Sequence, residues 1–409
     1  MRIGIFTETY APYISGLVTS EIMLKKALEK LGHEVYVVTA NLEDFHYRYD
    51  EKERILKVPG VPTGIYDSRL TSIYPVRAVN KIRKWNLDVI HSQTEFGIGT
   101  FARLIAKQLN IPLVHTYHTM YEDYVHYITK GYFNKSSKKI VEYLTLFYCD
   151  KTVSELIVPT KKTYDLFKEK YQVDRNIYII PTGIEIERFY DININKTKLT
   201  KIRKKLNLED DDYVGLFVGR LAQEKNVEFL LEVANDLKKK LPKFKLLIVG
   251  DGPDIEKYRD IVKEYGIEDR VFLPGKVKWE DVPYYYHLSN IFLTASHTET
   301  QGLTVIEAMA AGSVPICVKD ESFESMVVDD LTGKIFNTKE ECEKIIEDLS
   351  KDKKTLGRLS SQAILNSDRF SSKYFAESVL DVYKHAIENN KKRRNFIEKI
   401  VDNIVSEKE

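Results

Sequence analysis

Only three cysteines occur in 409 residues, Cys149, Cys317 and Cys342, an odd number spread far apart. They make neither a disulfide framework nor a metal knuckle, and they fit a reducing compartment. Excess charge is missing too. The 62 Lys and Arg stand against 61 Asp and Glu, a net charge of +1, which excludes the global basic surface of a dedicated nucleic-acid binder. No stretch reaches the ~18 apolar residues of a membrane span. Nor does the opening Met1-Arg2-Ile3-Gly4-Ile5-Phe6 have an apolar signal core behind it, so a membrane is expected to be met only from its surface. Tandem repeats and low-complexity segments are also absent, which sets aside solenoids. What is present is apolar material, 43% hydrophobic and 11% aromatic, ample for packed cores. At ~150 residues per domain the length implies two or three of them.

Short β-branched runs alternate with segments of helical periodicity, the pattern of parallel βαβ units. A first set comprises Ile3 to Thr7, Val35 to Thr39, Leu87 to His91, Leu113 to Tyr117 and Ile177 to Pro181, with a helix over Ser20 to Leu31 ended by Gly32. After a polar stretch at about 190 to 212 a second set follows: Val214 to Val218, Leu246 to Val249, Val271 to Leu273, Ile291 to Thr294 and Val314 to Val318, with a helix over Val227 to Leu237. The runs are nearly continuous in apolar residues, as strands covered on both faces should be. Two α/β domains are therefore expected, over residues 1–190 and 191–375, with a helical segment and basic amphipathic tail over 376–409. Glu209-Asp210-Asp211-Asp212 matches an Asp-x-Asp count but reads as a solvated loop, since nothing nearby supplies further ligands.

Ligands of such folds bind beyond the C-terminal ends of the strands, and four places there carry chemistry. Pro12 to Gly16 is a loop entering a helix, where glycine permits close approach and the helix N-terminus favours an anion; an ordinary βα turn would look the same. In Val218-Gly219-Arg220-Leu221-Ala222-Gln223-Glu224-Lys225, Arg220 can fork onto phosphate oxygens and Lys225 adds a mobile charge. Together they could neutralise a leaving diphosphate, although a surface Arg and Lys paired with Glu224 is the alternative. In Thr298 to Gly312 a loop passes Gly302 into a helix whose free N–H groups can receive phosphate. Glu307 could accept from ribose hydroxyls and Glu299 could face a sugar, while Thr304-x-x-Glu307 also reads as a capping box. The fourth is His115-Thr116-Tyr117-His118. Residues three apart on a strand point to opposite faces, so one metal cannot use both histidines. His118, at the strand's end, is the functional candidate and His115 buried structure.

In combination these residues resemble the retaining glycosyltransferases of family four, with the GT-B fold. The match comprises the Gly16 loop, His118, the Gly-Arg-x-x-x-x-Lys run to Lys225, Val249-Gly250-Asp251-Gly252-Pro253, and the E-x7-E pair Glu299 and Glu307 before Ala308-Met309-Ala310, in order over about residues 1 to 385. The resemblance implies two Rossmann-like domains facing a central crevice, the C-terminal helix crossing back to the first. It implies that Arg220 and Lys225 hold the donor diphosphate, with backbone N–H groups from Gly302, Leu303 and Thr304. Glu307 would bind the ribose, Glu299 the donor sugar, and the backbone near Val277 the base. Gly16 would lie near the diphosphate and His118 near the reacting carbon, so that His118, Glu299, Arg220 and Lys225 form the catalytic set. The donor is then a UDP-sugar, with no tightly bound cofactor and no metal site.

The acceptor rests on local features. Between Ser68 and Leu87 stand Arg69, Arg77, Lys81, Arg83 and Lys84 and no acidic residue. At helical spacing Arg77, Lys81 and Lys84 share one face and Val76, Val79 and Ile82 another, a basic amphipathic helix able to lie on anionic lipid, or else a solvated helix packed on its own core. Tyr117, Tyr121, Tyr124, Tyr127, Tyr132 and Phe133 are interleaved with Lys130, Lys135, Lys138 and Lys139, which suits a membrane interface or an aromatic core beneath a lid. The segments Ile14 to Ser20 and His118 to Tyr124 resemble those of bacterial diacylglycerol glucosyltransferases. This implies glucose transfer from UDP-glucose to 1,2-diacylglycerol, making monoglucosyldiacylglycerol at the cytoplasmic face of the membrane, with anionic lipid as the surface and no nucleic-acid partner. Other acceptors (phosphatidylinositol, another glycolipid, a polysaccharide), other donors (UDP-galactose, GDP-mannose) and a non-enzymatic scaffold remain alternatives. An NAD-linked oxidoreductase is disfavoured because Thr7-Glu8-Thr9-Tyr10, not G-x-G-x-x-G, follows the first strand.

Overall fold

The computed structural model describes residues 1–13, 16–62, 69–71, 75–95, 97–118, 142–296 and 301–406, with the backbone alone at 61–62, 69–70, 394 and 396–406. The chain forms two compact units, residues 1–183 with 372–409, and residues 184–371.

The first unit is built on a nine-stranded sheet. Its strands are β1 (Arg2–Thr7), β2 (Glu34–Asn41), β3 (Arg48–Asp50), β4 (Ile55–Pro62), β5 (Arg69–Thr71), β6 (Val89–Ser92), β7 (Leu113–Thr116), β8 (Glu155–Val158) and β9 (Ile177–Ile179). They run in the order β3-β4-β2-β1-β6-β7-β8-β9, with β5 paired to β4. All pairings are parallel except the short β3 and β5 against β4. The central strands are buried along their length, as continuous apolar runs require. Helix α1 (Gly16–Lys30) covers one face, and α2 (Val76–Arg83) and α3 (Gly97–Leu109) cover the other.

The second unit carries six parallel strands in the order β12-β11-β10-β13-β14-β15: β10 (Tyr213–Val218), β11 (Phe244–Val249), β12 (Val271–Gly275), β13 (Ile291–Thr294), β14 (Val314–Val318) and β15 (Lys334–Phe336). One large core joins this sheet to α4 (Val227–Leu237), α5 (Ile255–Tyr265), α6 (Val282–Leu288) and α7 (Leu303–Ala311).

The boundaries fall at 183/184 and 371/372, a few residues ahead of the sequence expectation of 190/191 and 375/376. Packing explains the shift. Ile184, Ile186, Phe189 and Phe370 bury their side chains in the second core. Helix α8 (Ser372–Ser406) belongs to the first unit, where Phe375, Ala376, Val379, Leu380, Val382, Tyr383 and Ala386 pack with Leu24, Ala27 and Leu28 of α1. Among the described residues no helix is long and apolar enough to cross a membrane.

Candidate functional site

In the second unit the expected donor residues lie on loops at the C-terminal ends of neighbouring strands. These ends are tied together through backbone. Gly219 N donates to Val249 O (3.0 Å), Leu221 N to Asp251 O (3.0 Å) and Gly250 N to Gly275 O (3.1 Å), while Ser296 Oγ donates to Glu224 O (3.3 Å). The Gly250-Asp251-Gly252 turn is not a dinucleotide cradle but a scaffold for the arginine loop. A Cβ at Gly250, whose φ is +148°, would stand 1.8 Å from Gly219 O, and one at Gly252 2.2 Å from Leu221 O. On this scaffold Arg220 is exposed, Lys225 closes a short 3₁₀ turn half-buried, and Val277 follows β12 half-buried against the core.

Helix α7 is entered through Gly302, which adopts the left-handed conformation (φ 62°, ψ 55°) and, as glycine, offers no side chain of its own to cap the helix. Its first backbone N–H groups, at Leu303 and Thr304, precede the first intrahelical donor pattern and are the kind of end that receives an anion. The alternative reading of Thr304-x-x-Glu307 as a capping box does not hold, because Thr304 lies inside the helix and Gly302 is its N-cap. Glu307 turns inward, where the Tyr286 hydroxyl donates to its Oε2 (2.7 Å) and contacts Thr304 O (3.2 Å). Burial pushes the Glu307 carboxyl up to about 7, opposed by the Tyr286 hydrogen bond and the Arg188 charge. Arg188 itself is packed over the Trp279 ring, 4.0 Å from its centroid, and donates to Trp279 O. Sequence reading did not reach Tyr286 or Arg188; the Tyr284-Tyr285-Tyr286 run was the available signal, and it does not say which ring meets Glu307. Glu299 lies outside the described residues, so the structure places one member of the E-x7-E pair.

In the first unit Gly16 opens α1 exposed, with nothing within 4 Å of where a Cβ would sit; residues 14–15 of its loop lie outside the described residues. His118 follows the end of β7, half-buried, its Nε2 2.6 Å from Gln93 Oε1. Burial pushes its pKa down to about 4, so the ring is neutral at physiological pH. His115 is fully buried, its Nδ1 2.9 Å from Ser92 O and its Nε2 3.3 Å from Glu95 Oε1. Glu95, His115 and Cys149 bring ligand atoms within 4.8 Å of one another. The Arg103 charge acts on both His115 and Cys149, so a metal there would add a like charge to a buried network that already contains a guanidinium. The Asp210 to Asp212 loop is engaged otherwise: Lys243 pairs with Asp211 (3.0 Å) and Asp212 accepts from Glu209 N (2.8 Å).

The basic helix requires a correction. Ala78, Val79 and Ile82 of α2 are buried in the core beside Trp85 and Leu87, so the apolar side is covered by the protein itself and is not available to lipid. Val76, expected on that side, is exposed. Arg77, Arg83 and Lys84 are exposed, whereas Lys81 is half-buried with its Nζ 3.8 Å from the Tyr49 ring centroid. Tyr117 is likewise a core residue, edge-on to Phe167 at 5.0 Å; the remaining aromatic and lysine positions from Tyr121 to Lys139 lie outside the described residues, as does the Arg69 side chain.

Family models match in both units. The family model described as glycosyltransferase family 4 matches residues 14–188, and the one described as glycosyl transferases group 1 matches residues 199–365. Over 402 residues the chain is 36% identical to alpha-monoglucosyldiacylglycerol synthase of Acholeplasma laidlawii, covering 97% of this chain and 100% of that protein. It is 36% identical over 337 residues to the synthase of the same name from Streptococcus pneumoniae, covering 82% of this chain and 75% of that protein. Among solved structures, Anabaena Alr3699/HepE in complex with UDP superposes with a TM-score of 0.72 at 16% identity, over 94% of this chain and 100% of that one; its complex with UDP-glucose gives 0.68. With an α/β unit at each end of the match and a relative aligned along its whole length, this chain belongs to glycosyltransferase family 4 and is a glycosyltransferase of the GT-B fold.

Proposed function

We propose that this enzyme transfers glucose from UDP-glucose to 1,2-diacylglycerol at the cytoplasmic face of a membrane, with retention of the anomeric configuration. The observation that carries the donor half is the α7 N-terminus, entered through left-handed Gly302, with the buried, ionisable Glu307 one turn on, in the same unit as the arginine and lysine loop. Support for the acceptor comes from two relatives named as alpha-monoglucosyldiacylglycerol synthases, and support for the donor from a structural neighbour that holds UDP-glucose.

In this reading Arg220 and Lys225 meet the charge that grows on the departing diphosphate, and the N–H groups of Gly302, Leu303 and Thr304 receive its oxygens. Glu307 accepts from the ribose hydroxyls, backbone near Val277 meets the base, and Glu299 engages the sugar. The family resemblance assigns Gly16 of the first unit to the diphosphate and His118, neutral by burial, to the sugar near its reacting carbon. The acceptor hydroxyl attacks on the face the diphosphate leaves, and a departing phosphate oxygen takes its proton. The membrane is met electrostatically, by the exposed Arg77 and Arg83 of α2 and Lys84 directly after it, each basic residue near an anionic surface contributing about 1 kcal/mol.

The test is mass spectrometry of products from a panel of nucleotide sugars incubated with mixed lipid vesicles. Monoglucosyldiacylglycerol formed from UDP-glucose is the expected product. Transfer to a soluble sugar but never to lipid overturns the acceptor.

A further inference from the structure

His118 stands at one end of a buried chain of hydrogen bonds whose other end is on the C-terminal helix. Its Nε2 is 2.6 Å from Gln93 Oε1. The nitrogen of the same amide lies 3.2 and 3.3 Å from the two ring nitrogens of His91. His91 Nδ1 is 2.6 Å from the Tyr383 hydroxyl of α8, and His91 Nε2 is 2.7 Å from Thr116 Oγ1. His91, Gln93, Thr116 and Tyr383 are all buried, so solvent does not compete for these bonds.

The chain has a direction. Both ring nitrogens of His91 are engaged in the ring plane, by Tyr383 and Thr116, which leaves neither an N–H nor a lone pair for the amide; at 3.2 and 3.3 Å from the two nitrogens the amide group lies over the ring face, where N–H hydrogens are attracted to the π cloud and an oxygen is repelled. The Gln93 amide therefore turns its NH₂ toward the His91 ring and its oxygen toward His118. An amide oxygen only accepts, so His118 Nε2 must carry a proton, and in the neutral ring Nδ1 is left with its lone pair. We propose that Gln93, held by His91 and through it by Tyr383, is a positioning residue that fixes the ring orientation and tautomer of His118, making the C-terminal helix part of the functional apparatus of the first unit. The inference rests on the reading of His118 as the group near the reacting carbon. The titratable groups that act on His118 are Glu95, His115 and His91.

Two readouts test it. With ¹⁵N-histidine labelling and a His118→Ala variant for assignment, the wild-type ring is expected as the Nε2–H form, and Gln93→Leu is expected to lose that preference. Gln93→Leu and Tyr383→Phe are each expected to lower kcat about 10-fold or more, as misplacement of a group by a fraction of an ångström does, with KM for the nucleotide sugar unchanged. Gln93→Glu, which offers a carboxylate to the same Nε2–H, is expected to shift the acidic limb of the kcat profile to higher pH. An Nδ1–H ring in the wild type, or Gln93→Leu with its tautomer and kcat both unaltered, overturns the positioning role. Undiminished kcat in His118→Ala overturns instead the reading of His118 and with it the catalytic consequence, so the two failures are distinguishable.

Discussion

Glu307 is a carboxyl held where burial disfavours ionisation even with the Tyr286 hydroxyl donating to it. Its pKa of about 7 in the folded chain stands above the usual 4.5, so the folded state binds its proton more tightly than the unfolded state. The contribution is fully present below pH 4.5 and is lost as pH rises through 7, a difference of about 3 kcal/mol. Glu307→Gln is therefore expected to raise the melting temperature of the ligand-free enzyme at pH 8, where the wild type carries a buried charge. The same substitution is expected to weaken UDP binding at pH 8 about 10-fold or more if, as proposed, Glu307 is the ionised acceptor of the ribose hydroxyls. Between pH 6 and 8 the affinity of the wild type for UDP should rise relative to that of the variant in calorimetric titration. A parallel pH dependence in the two would remove Glu307 from the ribose. At this scale sequence was a partial guide. The spacing pointed to Glu307 as an acceptor for ribose but left a capping box as the alternative, since Thr304-x-x-Glu307 satisfies that pattern. What decides its rotamer is Tyr286, 21 positions away in sequence and brought in by α6, and no local pattern carries that information.

Among the elements, the glycines that shape the donor loops have separable jobs. Gly250→Ala would place a methyl carbon 1.8 Å from a backbone oxygen that cannot rotate away, at a φ that side chains rarely adopt. A loss of more than about 2 kcal/mol is expected, together with loss of UDP binding as the loop carrying Arg220 moves. At Gly302, with φ +62° and the Phe323 ring 2.8 Å from a new Cβ, alanine strains the start of α7, and UDP affinity should fall more than stability does. Thermal melts run beside calorimetry separate the two effects. The strands of both sheets were legible because parallel strands buried on both faces are written as continuous apolar runs. Those that escaped, β3, β4, β5, β8 and β15, are short, lie toward the sheet edges or, like β8, open on a charged residue, Glu155, whose partners His385 (2.9 Å) and Asn389 (3.2 Å) come from α8. Helix α2 shows the limit of periodicity from the other side. Spacing marks which face of a helix is apolar, but Val79 and Ile82 turn that face to the sheet, and sequence alone does not distinguish a core from a lipid surface.

For the whole molecule, the +1 total charge conceals a local cluster. Charge reversal at Arg77, Arg83 and Lys84 together should remove about 1 kcal/mol of lipid attraction per residue and add repulsion, reducing pelleting with anionic vesicles by 100-fold or more at low salt while leaving UDP affinity intact. Unchanged pelleting would move the membrane contact elsewhere. Lys81→Glu alone should differ, costing stability through the lost contact with Tyr49. The division into two α/β halves was readable from the two sets of strands, whereas the placement of the boundaries was not, because Ile184 and Phe189 commit to the second core after a strand of the first.

Helix α8 buries seven apolar side chains in the first unit, at roughly 1.5–3 kcal/mol for each larger one, a sum on the order of the 5–15 kcal/mol that keeps a domain folded. Deleting residues 372–409 should therefore leave the first unit aggregated while residues 184–371, whose core is contiguous, still bind UDP. Synthesis runs from the N-terminus, yet the unit that begins first lacks part of one core until Tyr383 and Ala386 have been made. The second unit is complete earlier, so assembly on the ribosome inverts the order of the domains along the chain, and the first half of the protein waits, with one face of its sheet covered by α1 alone, for the last helix to close it.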